Sequence, residues 1–273
     1  MKNEIVKPDL PDYHIHTPLC GHAEGDVHEY KTAARSRGVT SLCFTDHAPT
    51  PDGYDPAHRM TMDQFPLYKS MVSETQTAEP PLVLFGIEAD YYEGCENHLR
   101  SWLPEQNFDF VIGSVHFIDG WGFDNPSQRH VWDSVDVTGS WRRYFCLLKM
   151  LVDSGLFDAV GHFDLPKKFG YRPEKGDLRE MALPVLDRMA ELGIGLEINT
   201  SGLRKPVKEC YPSAEILSWS FERCIPICFG SDAHKPQEIG FGFDLALDLA
   251  LEAGYSHHFT SERRVKELKR LAA

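Results

Sequence analysis

Seven short apolar runs, most of them followed by a stretch with helical periodicity, are the feature of this sequence that most restricts its fold. The runs are rich in β-branched and aromatic residues, which is typical of buried strands. They occupy residues 12–16, 39–44, 82–88, 108–115, 157–162, 195–198 and 225–229. Strands that alternate with helices form parallel sheets, and the chain has no glycine-rich turn of the nucleotide-binding type. The pattern therefore predicts an α/β fold, and favours a closed barrel of seven strand–helix units over an open, doubly wound sheet.

The helical stretches carry their own signals. Asp26 can cap the first helix together with Glu29, and Gly38 can end it. Pro184 lies inside a predicted helix and indicates either a kink or a later start. The segment 120–139 has the composition of a long loop on the same rim as His116. Further amphipathic helices are predicted at residues 61–78, 138–153, 178–192, 213–223 and 237–252, and a C-terminal helix at 261–271.

Length and charge exclude several classes of protein. The 273 residues fit one domain spanning 1–273, and the net charge of −13 argues against a surface that binds nucleic acid. No apolar run approaches the roughly 20 residues that span a bilayer, and residues 1–11 lack the apolar segment of a secretory signal. Seven scattered cysteines without a C-x-x-C pair predict reduced, mostly buried thiols. We therefore expect a soluble, cytoplasmic protein, either a monomer or a small homo-oligomer.

Histidine and carboxylate residues stand at the ends of most predicted strands. His14 and His16 are two residues apart, so on a strand their rings point to the same face. One such pair is equally consistent with a histidine pair at the surface or the edge of the core. The same placement recurs, however, at Asp46 and His47, Glu88, His116, His162, and the segment 231–234. Because the carboxyl ends of parallel strands meet at one rim of a barrel, the repetition predicts a metal centre there.

These motifs resemble the PHP (polymerase and histidinol phosphatase) superfamily over essentially the whole chain. The resemblance is carried by His-Ile-His at 14–16, Thr-Asp-His at 45–47, Gly-Ser-Val-His at 113–116, Gly-His at 161–162 and Ser-Asp-Ala-His at 231–234. It implies a distorted (β/α)7 barrel with two or three divalent ions at the carboxyl ends of the strands.

The resemblance also implies which residues bind each ion. The first ion would be held by His14, His16, Glu88 and Asp232, the second by a bridging Glu88 with His116 and His162, and the third by His22, His47 and His234. Imidazole and carboxylate ligands suit Zn, Fe or Mn. Cys20, between His16 and His22, is a further candidate for a position near the metals.

Such a centre suits the hydrolysis of phosphate esters. Two bridged ions lower the pKa of a shared water enough to supply hydroxide near neutral pH. Glu88, as the bridge, and Asp232 are therefore the predicted catalytic residues. The proton for the leaving alkoxide would come from Asp232 or from a water on the metal. Asp46 is predicted to orient a neighbouring histidine.

Within the superfamily, segments 19–23 and 113–126 are most similar to histidinol-phosphate phosphatases. This implies hydrolysis of L-histidinol phosphate. The alternatives are a phosphoesterase acting on phosphotyrosine, a nucleotide or an oligonucleotide end, and a barrel that binds metal without catalysis. Predicted phosphate contacts are Arg204, Lys167, Lys168 and Ser114, with Arg59 as a weaker candidate.

The remainder of the substrate and the other histidines receive weaker predictions. The amine and ring of histidinol phosphate could be received by Trp121, Phe123 or Asp124. The histidines outside the proposed ligand set are predicted to be solvated: His28, His58, His98, His130, His257 and His258.

Overall fold

The barrel is formed by seven parallel strands in sequence order. A computed structural model describes residues 10–271 of the chain. The strands are β1 (Asp12–Ile15), β2 (Ser41–Phe44), β3 (Leu82–Asp90), β4 (Phe110–Ser114), β5 (Ala159–Val160), β6 (Gly195–Asn199) and β7 (Ile227–Gly230). The two outer strands approach each other where His16 N donates to Ala233 O at 2.9 Å and Ala233 N donates to His14 O at 3.2 Å. The barrel is therefore nearly closed, as predicted.

Within residues 10–271, seven α-helices follow the strands. They are α1 (Val27–Arg37), α2 (Phe65–Thr75), α3 (Glu96–Trp102), α4 (Val137–Ser154), α5 (Lys175–Leu192), α6 (Ala214–Glu222) and α7 (Phe243–Glu252). The predicted capping of α1 is present, because Asp26 and Glu29 exchange hydrogen bonds between side chain and backbone, each at 2.8 Å. Gly38 ends α1 with φ of 74°. Helix α5 begins well before Pro184, so a later start is wrong; Pro184 is exposed, and the carbonyl it leaves unpaired can bind water.

The predicted C-terminal helix is wrong. Residues in this region form an antiparallel hairpin of β8 (His257–Glu262) and β9 (Val265–Arg270). Arg263 and Arg264 form the turn, with φ of 50° and 61°, in the left-handed region that suits tight hairpins. The composition of 261–271 favours a helix locally, but burial of Phe259 and Ser261 on one face of β8 outweighs that preference.

The hairpin closes the amino-terminal end of the barrel. Phe259 is fully buried among the side chains that fill the barrel interior, and its ring centroid lies 6.0 Å from that of Phe110. Ser261 N donates to Tyr13 Oη at 2.9 Å. Arg264 Nε donates to both carboxylate oxygens of Asp158, immediately before β5, at 3.1 and 3.0 Å. The end opposite the ligand-type residues is therefore filled with protein.

Burial also corrects one prediction about the other histidines. His258 is only 3 % exposed, because it lies on β8 with its ring 5.8 Å from Phe229. His28, His130 and His257 are exposed, and His58 and His98 are half-buried.

None of the seven cysteines forms a disulfide; five are buried, whereas Cys146 and Cys224 are exposed. Within residues 10–271, we find no helix with the length and apolar character needed to cross a membrane.

Candidate metal centre and active site

Glu88 lies at the centre of the carboxyl-terminal rim. It is on β3, only 1 % exposed, and histidines from five other positions converge on its two oxygens. The distances to the ring nitrogens are 3.0 Å for His162, 3.1 Å for His47, 3.2 Å for His14, 3.5 Å for His16 and 3.8 Å for His116. Asp232 adds a second carboxylate, with Oδ1 3.3 Å from His16 Nε2.

The donor atoms of this cluster fit a cation. His14 Nε2, His16 Nε2 and His47 Nδ1 are buried without a hydrogen-bond partner, and each lies 3.1–3.5 Å from Glu88 Oε2. Buried polar atoms are normally paired, and nitrogen lone pairs that converge on a carboxylate are unfavourable unless a proton or a metal ion lies between them. Two groups of close ligand atoms share Glu88: one with His14 and His16, the other with His47 and His116.

A third group lies towards the solvent. His22 Nε2 and His234 Nε2 are 2.9 Å apart, and His47 belongs to the same group. The opposite nitrogens face backbone carbonyls, since His22 Nδ1 lies 3.0 Å from Cys20 O and His234 Nδ1 lies 3.0 Å from Asp232 O. These contacts turn both Nε2 atoms towards the shared space. Cys20 is near His16 and His234 but is fully buried, and burial raises the pKa of its thiol to about 12.

Carboxylates behind the rim orient three of the histidines. Glu197 Oε1 lies 2.6 Å from His14 Nδ1, Asp90 accepts a hydrogen bond from His116 Nδ1, and Asp46 Oδ1 lies 3.4 Å from His16 Nδ1. A proton held on Nδ1 leaves Nε2 free to bind metal. Asp46 therefore occupies its predicted place. Sequence reasoning missed Glu197 and Asp90, although a glutamate inside the apolar run 195–198 was a usable signal.

Arg59 supports this arrangement and is not available to a phosphate. It is 6 % exposed, and its guanidinium donates to Asp90, to Ala48 O at 2.9 Å and to Asp55 O at 3.1 Å. The weaker candidate for phosphate binding thus holds the carboxylate that orients His116. Ser114 is likewise engaged, because its Oγ donates to Glu88 Oε1 at 2.5 Å.

The two adjacent lysines predicted to contact phosphate have different surroundings. Lys167 is fully buried, and its Nζ binds Cys210 O at 2.7 Å and Asp164 at 2.9 Å. This lysine stabilises the fold, because its ammonium is already surrounded by acceptors. Lys168 is less completely buried, and its Nζ lies 2.9 Å from Asp124 Oδ2 in the loop after β4.

Arg204 lies directly beside Asp232. Its Nη2 donates to Ser231 O at 2.8 Å and Asp232 O at 3.0 Å, whereas its buried Nη1 has no partner. Lys205, which sequence reasoning missed, lies in a segment beside Lys168, because Val207 N, two residues further on, donates to Lys168 O at 3.1 Å. Burial and then the charge of Lys168 lower the pKa of Lys205. Lys168, Arg204 and Lys205 therefore make a cationic pocket next to the metal ligands, suited to an anion.

The charge states of the ligand groups follow from their neighbours. Burial raises the pKa of Glu88, but the charge of His14 and the hydrogen bonds from His14 and His162 outweigh burial and hold that pKa well below its usual range. The pKa of Asp232 is lowered in the same way, against the effect of burial. Burial lowers the pKa of His47 and of His234 well below the usual value. Without an ion, the ionised carboxylates thus face neutral rings at His47 and His234, whereas the same carboxylates raise the pKa of His14, His16 and His116. A divalent cation has to displace the protons of those three rings.

The three residues of the loop after β4 that were predicted to receive the substrate differ in whether they reach the pocket. Phe123 is fully buried, with its ring 5.4 Å from that of Tyr144, so it cannot receive a substrate ring. Trp121 is half-buried against Trp132, and its buried Nε1 has no partner. Asp124 is the member of the three that reaches the cationic pocket, through Lys168.

Comparison with known proteins identifies close relatives over most of the chain. A family model described as the PHP domain matches residues 12–201. A Deinococcus radiodurans protein named "Probable histidinol-phosphatase" is 44% identical over 239 residues, which cover 86% of this chain and 90% of the relative. The histidinol-phosphatase of Bacillus subtilis is 28% identical over 263 residues, covering 87% of this chain and 98% of the relative.

The fold is shared with a solved structure. Histidinol phosphate phosphatase from Lactococcus lactis, complexed with zinc, L-histidinol and phosphate, superposes with a TM-score of 0.80 at 20% identity. The match covers 95% of this chain and 99% of the other. The predicted seven-stranded barrel is therefore confirmed by the arrangement of the strands and by this likeness.

Proposed function

The chain belongs to the PHP domain family, and on that premise we propose that it is a metal-dependent phosphomonoesterase that hydrolyses L-histidinol phosphate to L-histidinol and phosphate. One observation carries the proposal. Unpartnered nitrogens of buried histidines surround Glu88, and the pocket of Lys168, Arg204 and Lys205 adjoins them where Arg204 Nη2 donates to Asp232 O at 3.0 Å. An ion-binding centre next to an anion-binding pocket is what hydrolysis of a phosphate ester requires.

The metal assignment rests on the donor atoms. We propose two or three divalent ions, of Zn, Fe or Mn, held by His14, His16, Glu88 and Asp232, by Glu88, His116 and His162, and by His22, His47 and His234. Such ions, when bound, activate a water for attack and neutralise charge on the phosphoryl oxygens. His47, which lies 3.1 Å from Glu88, belongs spatially to both the second and third groups.

The side chains have separate tasks around the phosphate. Arg204, whose Nη1 is unpartnered, and Lys168 bind the phosphoryl oxygens, with Lys205 adding charge. Ser114 holds the bridging carboxylate of Glu88 in place. Asp232 Oδ1 lies 3.3 Å from His16 Nε2 among the proposed metal ligands, so the proton for the leaving alkoxide would come from Asp232 or from a water on the metal.

The substrate is a small molecule in this proposal. The net charge of −13 disfavours nucleic acid, and the cationic pocket is local. We place the reaction in the cytoplasm and expect a monomer or small homo-oligomer, which size-exclusion chromatography with light scattering measures.

The test is a substrate panel assayed with protein of measured metal content. Purified protein is stripped with a chelator, reloaded separately with Zn, Mn or Fe(II), and assayed on histidinol phosphate, phosphotyrosine, a nucleotide and p-nitrophenyl phosphate. We expect kcat/KM for histidinol phosphate to exceed that of the other esters by about 100-fold or more. Equal rates on all esters contradict the substrate while leaving a phosphoesterase. If Glu88→Gln, still folded by circular dichroism, keeps full activity, catalysis at this centre is contradicted.

A further inference from the structure

An ion pair connects the loop after β4 to the cationic pocket. Asp124 Oδ2 lies 2.9 Å from Lys168 Nζ, and the two side chains are 22 % and 11 % exposed respectively. Burial alone would raise the pKa of Asp124, but the charges of Lys168 and then His116 lower it. Asp124 is therefore an ionised carboxylate paired with a lysine of the cationic pocket, where an incoming phosphate would meet a like charge.

The position of Asp124 is fixed by its neighbours along the chain. Phe123 is fully buried, and its carbonyl accepts a hydrogen bond from Trp132 Nε1 at 2.8 Å. Asn125 caps the next turn by accepting from Ser127 N at 2.9 Å. The carboxylate thus projects from an anchored backbone. Lys168, with a flexible four-carbon stem, is the partner that can move.

We propose that Asp124 is a specificity-determining residue that exchanges its cation when substrate binds: Lys168 moves to the phosphate, and the freed carboxylate binds the ammonium group of the substrate. This inference rests on the proposed function, in which the substrate carries both a phosphate and an amine. The site then selects phosphate esters that bring their own positive charge.

The physical reason is the cost of an unpaired buried charge. A phosphate dianion beside Arg204 and Lys205 attracts the Lys168 ammonium more strongly than a single carboxylate does. Once Lys168 has turned away, Asp124 is a partly buried charge without a partner, which is strongly unfavourable. An ester with an ammonium group supplies a new partner, whereas a neutral ester does not. Discrimination thus arises from a penalty on the wrong ligand as well as from a contact with the right one.

The exchange has a thermodynamic consequence that a fixed contact lacks. Inorganic phosphate alone should draw Lys168 away from Asp124 and so strengthen the binding of L-histidinol. Linkage requires L-histidinol to strengthen phosphate binding by the same factor. A carboxylate that only holds Lys168 in place gives no such coupling.

The experiment measures this coupling in the metal-loaded enzyme. L-histidinol is titrated calorimetrically with and without saturating inorganic phosphate, in the wild type, Asp124→Asn and Asp119→Asn. Asp119 is an exposed residue of the same loop whose carboxylate binds Arg143 at 2.8 Å, so it is a matched control. We expect phosphate to tighten histidinol binding about tenfold in the wild type and in Asp119→Asn, and not at all in Asp124→Asn. Equal coupling in all three proteins, or none in the wild type, overturns the exchange.

A kinetic comparison separates this inference from the identity of the substrate. O-phosphoethanolamine and ethyl phosphate differ in their ammonium group, so their ratio of kcat/KM reports ammonium recognition even if histidinol phosphate is not hydrolysed. We expect the wild type to favour the amino ester about tenfold or more, and Asp124→Asn to lose that preference. Lys168→Met should lower kcat/KM for both esters. If Asp124→Asn lowers both esters by the same factor, Asp124 does not determine specificity.

Discussion

Glu197 Oε1 lies 2.6 Å from His14 Nδ1, with both side chains fully buried. The other oxygen of Glu197 accepts hydrogen bonds from His162 N at 2.9 Å and Asn199 Nδ2 at 3.1 Å. One carboxylate therefore fixes the ring of one predicted ligand and the backbone of another.

This contact makes Glu197 a positioning residue for metal binding. In Glu197→Gln the His14 ring loses a charged acceptor, and we expect metal affinity to fall by about 10- to 100-fold. Competition with a chromophoric chelator measures it. Glu191→Gln is the control, because that glutamate is exposed and binds only Arg188 among the contacts described. Unchanged affinity in Glu197→Gln would contradict the role.

Arg59 is predicted to matter for stability more than for phosphate binding. Arg59→Met removes the guanidinium that pairs with one oxygen of the buried Asp90 and leaves only the His116 contact on the other, so we expect a loss of about 3 kcal/mol in the free energy of unfolding, measured with urea. The matched surface change, Arg35→Met, should cost less than about 0.5 kcal/mol, because Arg35 is exposed. A large rise in KM for phosphate esters without loss of stability in Arg59→Met would favour a phosphate contact instead.

Metal binding should release protons. Without an ion, burial opposes protonation of His16 and His116, but nearby carboxylates outweigh it and raise their pKa values to about 9 and about 10. At pH 7 both rings hold a proton that an ion must displace, so metal affinity should fall as the pH falls. Calorimetric titration with zinc in buffers of different ionisation enthalpy counts the protons released, and we expect at least one. No release at pH 7 contradicts the assignment.

The same raised pKa values give the metal-free protein a characteristic pH dependence. A folded-state pKa above the unfolded value stabilises the protein below about pH 6.5 and loses that stabilisation as the pH rises through about 9 to 10. We therefore expect urea unfolding of the metal-free protein to become easier across this range. The metal-loaded protein, whose rings hold ions instead of protons, should change less there.

The sequence predicted the ligand-type residues at the rim of the barrel better than the residues that surround and orient them. Ligand-type residues such as Glu88 and His116 follow apolar strands, so their common location follows from parallel topology alone. Glu197 and Asp90 were missed because their role depends on contacts between strands distant in sequence. Lys167 and Lys168 are adjacent, and only the fold shows that one is enclosed by acceptors and the other faces the pocket.

The C-terminal hairpin is a second feature that depends on contacts between segments distant in sequence. Its turn residues, Arg263 and Arg264, are not typical of positive φ, and the segment has a helical composition. Its conformation is determined by packing, because Phe259 fills the open end of the barrel. That opening is formed by the seven strands together and cannot be read from the sequence of the segment. Local propensity therefore predicted a helix where tertiary packing forms strands.

Gly195 and Phe259 provide a direct test of that packing. A Cβ on Gly195 would collide with the Phe259 ring, so Gly195→Ala should destabilise the protein by about 1–3 kcal/mol. In a Phe259→Leu background the side chain is shorter, and the same glycine substitution should cost less. Urea unfolding of the four proteins gives the coupling energy. Gly195 begins β6 and Glu197 lies two residues further along the same strand. We therefore expect Gly195→Ala to displace Glu197 and weaken metal binding in chelator competition, and Phe259→Leu to restore part of that binding. Additive costs for the two substitutions would mean that the hairpin does not pack against β6 as the structure shows.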